Sequence, residues 1–129
     1  MATCGKLLLA ALLTVILSGA ASAQQVKRTE LKRSDLTGTN MEVIMSVVEA
    51  PPGATLGRHF HHGEEAFYIL EGAMVEMPDG SKPNRAAGAG GINVRNVPHA
   101  GYKVVGDKTL KILTVHIVDK GKPLSEPAK

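Results

Sequence analysis

Three of the five histidines in this chain lie within four positions, and two adjacent glutamates follow them. In an extended strand successive side chains point to opposite faces, so His59 and His61 share one face and His62 lies on the other. Glu65 follows His61 by four residues, across a bend at Gly63, and this even offset can return its carboxylate to the same face. Because converging imidazoles and carboxylates are typical metal ligands, His59, His61 and Glu65 are predicted to form most of a metal site.

The same residues also allow an interpretation without chemistry. The histidines could be a solvated cluster on a turn, and Glu64 and Glu65 an exposed acidic pair, since short motifs of this kind recur by chance. In the metal interpretation Glu64 is expected to support a ligand or to lie at the surface. The residues of this stretch leave both interpretations open.

The elements that must position these residues are predicted to be strands. After residue 23 the chain has no sustained 3.6-residue apolar pattern, and turn residues recur about every eight to twelve positions, which is typical of an all-β fold. Strands are predicted at residues 26–33, 41–50, 66–70, 73–77, 92–97, 102–105 and 109–118. The first is predicted to be an edge strand, and the third and fourth a hairpin. Residues 82–91 are predicted to be a loop and 119–129 a polar tail.

Strand 41–50 is apolar on both faces, which predicts burial on both sides. Its odd positions carry Met41, Val43, Met45 and Val47, and its even positions carry Ile44 and Val48. One face is predicted to line a barrel and the other to pack against a second sheet or a partner subunit, so a homodimer is expected. The cavity walls are predicted to include Met41, Met45, Phe67, Ile69 and Met74.

The first 23 residues are predicted to be a signal peptide. Lys6 precedes an apolar run at residues 7–17, and the Ala-Ser-Ala at residues 21–23 suits signal peptidase. A membrane anchor is the alternative, but the run is short of the roughly 20 residues that span a bilayer. Cleavage after Ala23 would leave one domain, residues 24–129, in the periplasm or outside the cell without a membrane anchor.

Composition excludes several classes of function. The only cysteine, Cys4, lies in the predicted leader, so the mature domain would form no disulfide and would depend on burial and metal for stability. A formal net charge of +3 is too mild to predict a nucleic-acid partner. The chain has no Ser-His-Asp arrangement, phosphate loop or cysteine nucleophile, so any chemistry is expected to need the metal.

The spacing of glycines and metal-type residues resembles the first motif of the cupin superfamily. Gly53, His59, His61, Glu65 and Gly72 match that motif at every anchor position. The resemblance extends over essentially the whole of residues 24–129, and the chain is similar to small, single-domain bacterial cupins that are exported and often labelled quercetinase-like.

The second motif of the superfamily is matched in part. Gly88 stands at its opening glycine and His99 at its histidine. Val94, Asn96 and Lys103 stand where a proline, a glycine and an asparagine are usual. These departures leave the geometry around His99 open.

The resemblance implies a jelly-roll barrel, a double-stranded β-helix, that holds one divalent transition metal through His59, His61, Glu65 and His99. Imidazole and carboxylate donors suit Fe, Mn, Ni, Cu or Zn, and the lack of thiolate ligands argues against a structural zinc site. An octahedral ion with four protein ligands keeps two open positions for a small-molecule ligand.

Three further residues are ambiguous. His116 is predicted to be a residue of the barrel wall rather than a ligand. Lys103 shares the face of His99 if the strand between them is regular; it could hold a carboxylate or enolate near the cavity mouth, or extend into solvent. Arg95 is a weaker candidate for the same role.

The reaction is predicted by family analogy only. The first hypothesis is a mononuclear metal oxygenase that binds a small enol or diol, with Glu65 as a base. The second is a non-redox isomerase or lyase on a sugar acid, with Lys103 or Arg95 holding a carboxylate. The third is a periplasmic binding or metal-sequestering module without turnover. A small substrate is expected because the chain has no tryptophan and few other aromatic residues to stack a flavonoid.

Overall fold

The computed structural model describes residues 24–129, which form eleven strands. Their bounds are β1 Lys27–Asp35, β2 Met41–Ala50, β3 Thr55–Leu56, β4 His59–Phe60, β5 Gly63–Glu71, β6 Ala73–Glu76, β7 Asn84–Arg85, β8 Gly90–Asn93, β9 Tyr102–Val105, β10 Leu110–Asp119 and β11 Glu126–Pro127. The predicted signal peptide, residues 1–23, lies outside the described residues. Within residues 24–129 there is no helix long and apolar enough to cross a membrane.

The strands form two main antiparallel sheets, which confirms the all-β prediction. The first sheet has the order β1-β2-β10-β5-β8, and the second has the order β3-β9-β6-β7. Strands β11 and β4 form a separate pair. Strand β1 lies at the edge of the first sheet, as predicted, and β2 has the predicted bounds.

The predicted hairpin between residues 66–70 and 73–77 is wrong, because the chain changes sheets at Gly72. Strand β5 pairs with β10 and β8, whereas β6 pairs with β9 and β7. A Cβ at Gly72 would lie 2.5 Å from the carbonyl oxygen of Arg85, so the crossing needs a residue without a side chain. The turn at residues 78–80 makes the hairpin instead, and the Val75 amide donates to the Pro83 carbonyl at 3.1 Å.

Two segments that were predicted to be irregular contain strands. The predicted loop at residues 82–91 holds β7 and the start of β8. In the predicted polar tail, β11 pairs with β4, so the chain end covers the strand that carries His59. Neither pairing has a sequence signal, because both strands are short and pair with distant segments.

The core lies between the two sheets. Its members are buried apolar side chains from both sheets: Val48, Ala50, Ala54, Ile69, Ala73, Val75, Tyr102, Val104, Leu110 and Ile112. The even positions of β2 therefore face inward, with Ile44, Ser46, Val48 and Ala50 all buried. Of the predicted cavity residues, Phe67 and Ile69 line the cavity, but Met45 and Met74 are exposed and Met41 shares the outward face of Met45.

Candidate metal centre

A close contact between β5 and β10 places Glu65 inside the barrel. At Gly63, the first residue of β5, an added Cβ would overlap the Ile117 carbonyl oxygen and lie 2.7 Å from the Val118 Cα. Glycine thus lets β5 lie against β10 where Gly63 is paired with Val118. From there the strand alternation turns Glu65 inward and Glu64 outward. Glu65 is buried, with 5% of its surface exposed.

The structure brings together all four residues of the predicted ligand set. The ring centroids of His59 and His61 lie 4.8 Å apart, and the His99 ring lies 4.5 Å from His59 and 4.9 Å from His61. Glu65 Oε2 lies 3.3 Å from His61 Nε2 and 3.2 Å from His99 Nε2. The side-chain nitrogens of the three histidines lie within 4.8 Å of one another, close enough to share one ion.

Backbone carbonyls fix the orientation of these three rings. Each Nδ1 lies at hydrogen-bond distance from a carbonyl oxygen: His59 at 2.7 Å from Gly57, His61 at 2.6 Å from Leu124 and His99 at 3.1 Å from Val97. A carbonyl oxygen can only accept, so each Nδ1 carries the hydrogen and, in a neutral ring, each Nε2 keeps a free lone pair. This is the tautomer that binds a metal through Nε2.

The buried Nε2 atoms lack hydrogen-bond partners among residues 24–129. Those of His61, His99 and His116 are fully buried and unsatisfied. The Nε2 atoms of His61 and His99 lie at hydrogen-bond distance from the Glu65 carboxylate, but a neutral ring with its hydrogen on Nδ1 has none on Nε2 to donate to an ionised carboxylate. Buried polar atoms without partners are costly, and a cation between the nitrogens and the carboxylate would satisfy them together. The residues present therefore fit a divalent metal.

His116 and Asn93 also contact Glu65, because the three residues are paired across neighbouring strands. His116 is opposite Glu65 in β10 and β5, and Glu65 is opposite Asn93 in β8. His116 Nε2 lies 3.2 Å from Glu65 Oε1, and Asn93 Nδ2 donates to Glu65 Oε2 at 2.7 Å. His116 is thus part of the barrel wall, as predicted, and also part of the cluster. A second group of potential ligands consists of His61, Glu65 and His116.

The surroundings of these groups shift their pKa values. Burial by itself would raise the pKa of the Glu65 carboxyl, but close contacts with His116, His61 and His99 hold it well below its usual range. Burial lowers the pKa of His59 and of His116. For His99 burial acts in the same direction, but contact with Glu65 outweighs it and the pKa is raised. An ionised Glu65 carboxylate and a neutral His59 ring are the states that a metal requires of such ligands.

The strand between His99 and Lys103 is not regular, so Lys103 does not share the face of His99 and follows the predicted alternative, extension into solvent. The irregularity lies at Ala100 and Gly101, which have φ angles of 60° and 84°. Strand β9 begins after these residues, and it turns Tyr102 inward and Lys103 outward to solvent. Arg95 is likewise remote from the cavity, because it forms two hydrogen bonds of 2.8 and 3.0 Å with Asp119. His62 lies apart from the other histidines and contacts Glu126.

Asn96 stands where the second motif usually has a glycine, and it adopts a backbone conformation that glycine favours. Asn96 has a φ of 59°, and asparagine is among the few residues that adopt this left-handed conformation readily. Its amide donates to the His61 carbonyl at 3.0 Å. Asn96 therefore preserves the backbone conformation expected of the usual glycine. Its hydrogen bond connects the loop before His99 to the first motif.

A cavity of about 130 Å³ adjoins the cluster. Its walls are largely apolar and include Val48, Leu56, Phe67, Ile69 and Ile112. His59, Glu65 and His99 face into it, and so do Arg28 and Arg85, which have no counterpart among the predicted site residues. An enclosed apolar cavity of about 150 Å³ holds benzene, so this cavity has room for about six non-hydrogen atoms.

Comparisons with known proteins agree with this fold. A family model described as a cupin domain matches residues 46–116. A double-stranded β-helix protein from Klebsiella pneumoniae, itself uncharacterised, has a TM-score of 0.61 at 18% identity, over 85% of this chain and 90% of its own. A polyketide cyclase from Streptomyces resistomycificus has a TM-score of 0.58 at 24% identity, over 81% and 71% of the two chains. No protein of curated function matches the sequence.

A candidate acetylacetone dioxygenase from Methylibium petroleiphilum has the same architecture, with a TM-score of 0.52 at 14% identity over 81% of this chain and 71% of its own. At these levels of identity the structural likenesses establish the fold alone. A shared fold supports many different chemistries, so the reaction has to be argued from the site itself.

Proposed function

This chain belongs to the cupin family, and from that premise we propose that it is a metal-dependent enzyme, an oxygenase of a small chelating substrate. One observation carries the proposal. The ring nitrogens of His59, His61 and His99 lie within 4.8 Å of one another, and the Glu65 carboxylate lies beside His61 and His99, next to a largely apolar cavity of about 130 Å³, so a metal would be bound where a small molecule can reach it. A site that only braced the fold would need no such cavity.

His59, His61, Glu65 and His99 would hold the metal, which we propose to be a divalent ion of Fe, Mn, Ni, Cu or Zn. When bound, a redox-active ion would supply electron transfer to dioxygen and Lewis-acid activation of a chelating substrate. His59, Glu65 and His99 line the cavity, so a metal held by them would be within reach of a small chelating molecule there. The size of the cavity supports a substrate smaller than a flavonoid.

The surrounding residues would hold the metal ligands in position and exclude water from the substrate. Asn93 and His116 contact the two oxygens of Glu65 and so orient its carboxylate. Phe67, Ile69 and the other apolar walls would exclude water from the bound substrate. The contacts that keep Glu65 ionised also make it a weak base. Proton abstraction by Glu65, which stays a prediction, would therefore require one of these contacts to loosen.

Oxygen uptake tests the proposal. The protein is freed of metal, loaded separately with Fe, Mn, Ni, Cu or Zn, and mixed with acetylacetone, a chelating diketone of suitable size. Substrate-dependent oxygen uptake is expected with at least one redox-active metal. His61→Ala is expected to abolish it, whereas His62→Ala, an adjacent histidine outside the cluster, should retain it. If no metal supports oxygen uptake with acetylacetone or with related enols and diols, the proposed oxygenase activity is refuted.

A non-redox isomerase or lyase is the second candidate, and the arginines that face the cavity favour it, because they could hold an acid group. Turnover of an acid without oxygen uptake would support this reaction. Metal retention without any turnover would support the third hypothesis, a binding or metal-sequestering module. Elemental analysis of protein recovered from the periplasm would identify the metal in either case.

We also propose that the mature domain is exported and dimeric. The outer face of the first sheet exposes Met45, Tyr68, Leu70 and Ile92, with exposed fractions of 38%, 49%, 41% and 68%. An apolar face of this kind suits a second copy of the chain. Light scattering is expected to give the mass of a dimer, and a monomeric mass at micromolar concentration would contradict it. Export is tested by the N-terminal sequence of periplasmic protein, which is expected to begin at Gln24.

A further inference from the structure

We propose that Arg28 and Arg85 form a carboxylate-binding subsite in the cavity, so that the substrate is a small organic acid. The inference rests on the proposed function in one respect, namely that substrate binds in this cavity. Both arginines line it, together with His59, Glu65 and His99. Lys103 and Arg95, the candidates for this role in the sequence, lie elsewhere, since Lys103 is exposed and Arg95 pairs with Asp119.

Arg28 reaches the cavity from an exposed strand. It is paired with Val48 in the neighbouring strand, and residues opposite each other in a sheet point to the same face, so the side chain of Arg28 turns inward. Its Nη1 donates to Thr114 Oγ1 at 3.1 Å, and Thr114 is buried. The guanidinium is thereby held over the inner face of the sheet, although Arg28 as a whole residue is exposed.

Arg85 approaches from the second sheet. Its guanidinium carbon lies 5.0 Å from the ring centroid of Tyr102, a cation-π contact with a buried aromatic ring. Its Nε is buried and has no hydrogen-bond partner among residues 24–129. The planar guanidinium of Arg85 contacts Tyr102 on one face and has an unpaired N–H at its edge, so it can donate to a planar acceptor such as a carboxylate.

The charges of the cavity are unbalanced without a ligand. Within residues 24–129 neither arginine forms an ion pair with a carboxylate, and Glu65 is the only carboxylate that lines the cavity. Glu65 is already in contact with His61, His99 and His116. Two guanidinium groups and a divalent ion would therefore face one carboxylate, which leaves a strongly positive cavity that attracts anions.

The size of the cavity selects the class of anion. Room for about six non-hydrogen atoms suits a short organic acid and is too small for a sugar phosphate. Guanidinium groups bind carboxylates through two parallel hydrogen bonds, which adds orientation to affinity. The acid group would be held by Arg28 and Arg85 while the other end of the molecule, a keto, hydroxy or second acid group, faces the metal ligands.

Calorimetric titration with dicarboxylates tests the subsite. Malonate and succinate are titrated into metal-free and zinc-loaded protein, with their neutral diamides and inorganic phosphate as comparisons. At least one dicarboxylate is expected to bind at least tenfold more tightly than its diamide and than phosphate. Arg28→Gln and Arg85→Gln are each expected to raise its Kd at least tenfold with zinc content unchanged.

Lys32→Gln is the matched control, because it removes one positive charge from the same strand as Arg28 without contact with the cavity. It should change the Kd less than twofold. Arg28→Lys and Arg85→Lys keep the charge but lose the planar fork, so intermediate affinities are expected; they also test the subsite if Arg85→Gln fails to fold. Equal binding of diacid and diamide, tighter binding of phosphate, or equal Kd values in the glutamine variants and the control would overturn the proposal.

The two proposals fail in different ways. If the protein retains no metal but metal-free protein binds a dicarboxylate in an arginine-dependent manner, the subsite stands and the metal enzyme does not. If metal binds and oxygen is consumed while diacid affinity is the same in all variants, the enzyme stands and the subsite does not.

Discussion

Two rows of side chains cross the inner face of the first sheet on the same strands. The polar row consists of His116, Glu65 and Asn93, with Ile44 beside His116 on the neighbouring strand, and the apolar row consists of Val48, Ile112 and Ile69. The rows are only four residues apart along β10. The apolar row joins the main core, whereas the polar row ends in buried nitrogen atoms that have no partner among residues 24–129.

The two rows therefore have different roles: the apolar row stabilises the fold, and the polar row provides groups that can bind a ligand. Apolar side chains in contact stabilise the barrel through the surface they remove from water. Buried polar atoms without partners reduce stability until a ligand satisfies them. The apolar row is therefore expected to determine the stability of the metal-free protein, and the polar row its affinity for metal.

Ile69→Ala should give the largest change in stability. Ile69 is 2% exposed and packs in the core, so the truncation removes apolar contacts and leaves a cavity that costs about 2–5 kcal/mol of the free energy of unfolding. Urea unfolding of metal-free protein measures this cost. Zinc affinity should change less than twofold. A variant that loses its zinc but keeps its stability would show that the two rows are not separable.

His61→Ala should remove the stabilisation that a bound metal provides. A metal at 100 times its Kd adds about 2.7 kcal/mol to the free energy of unfolding, and the variant should lose this gain because an essential ligand is missing. Melting curves with zinc and with a chelator measure the gain. The zinc-dependent gain is the quantity to compare, because the truncation also leaves a void at a buried side chain and removes the hydrogen bond to the Leu124 carbonyl, which should lower the metal-free melting temperature. A wild-type melting temperature that is unaffected by the chelator would contradict tight metal binding.

The sequence predicted the first half of the site better than the second. Strand alternation and glycine spacing identified His59, His61 and Glu65, because these residues are close in the chain and one local conformation positions them. His116 and Asn93 reach Glu65 only through the register of β10 and β8 against β5, and register between strands distant in sequence is set by the whole sheet. The inward position of His116 could be predicted from alternation, but its partner could not.

The cavity lining was the least predictable feature. Alternation separated the two faces of β2 correctly but did not show which face is inside, since both are apolar and only the packing of the second sheet decides. Arg28 was missed because its strand has a polar sequence typical of an exposed edge, and the face of Lys103 stayed open because two positive φ angles precede its strand.

His116→Ala tests whether the polar row acts as a unit. The substitution leaves His59, His61, Glu65 and His99 in place but removes the contact that orients Glu65 Oε1. Loss of a group that positions a ligand typically costs about 10–100-fold in metal affinity. Competitive zinc titration against a chromogenic chelator measures the loss, with His62→Ala as the control. An unchanged zinc affinity would show that His116 is a residue of the barrel wall without a role in metal binding.

Asn96→Gly should have the smallest effect and test the link between the loop and the first motif. The substitution preserves the left-handed backbone and the amide that donates to the His61 carbonyl. Relief of backbone strain is offset by the greater freedom of glycine in the unfolded chain, so the free energy of unfolding should change by less than about 0.5 kcal/mol. Asn96→Ala retains a side chain in the same conformation, without the local hydrogen bonding of asparagine, and should cost about 1 kcal/mol. Urea unfolding of both variants makes the comparison, and an equal loss in both would show that the asparagine side chain, rather than its backbone conformation, supports the site.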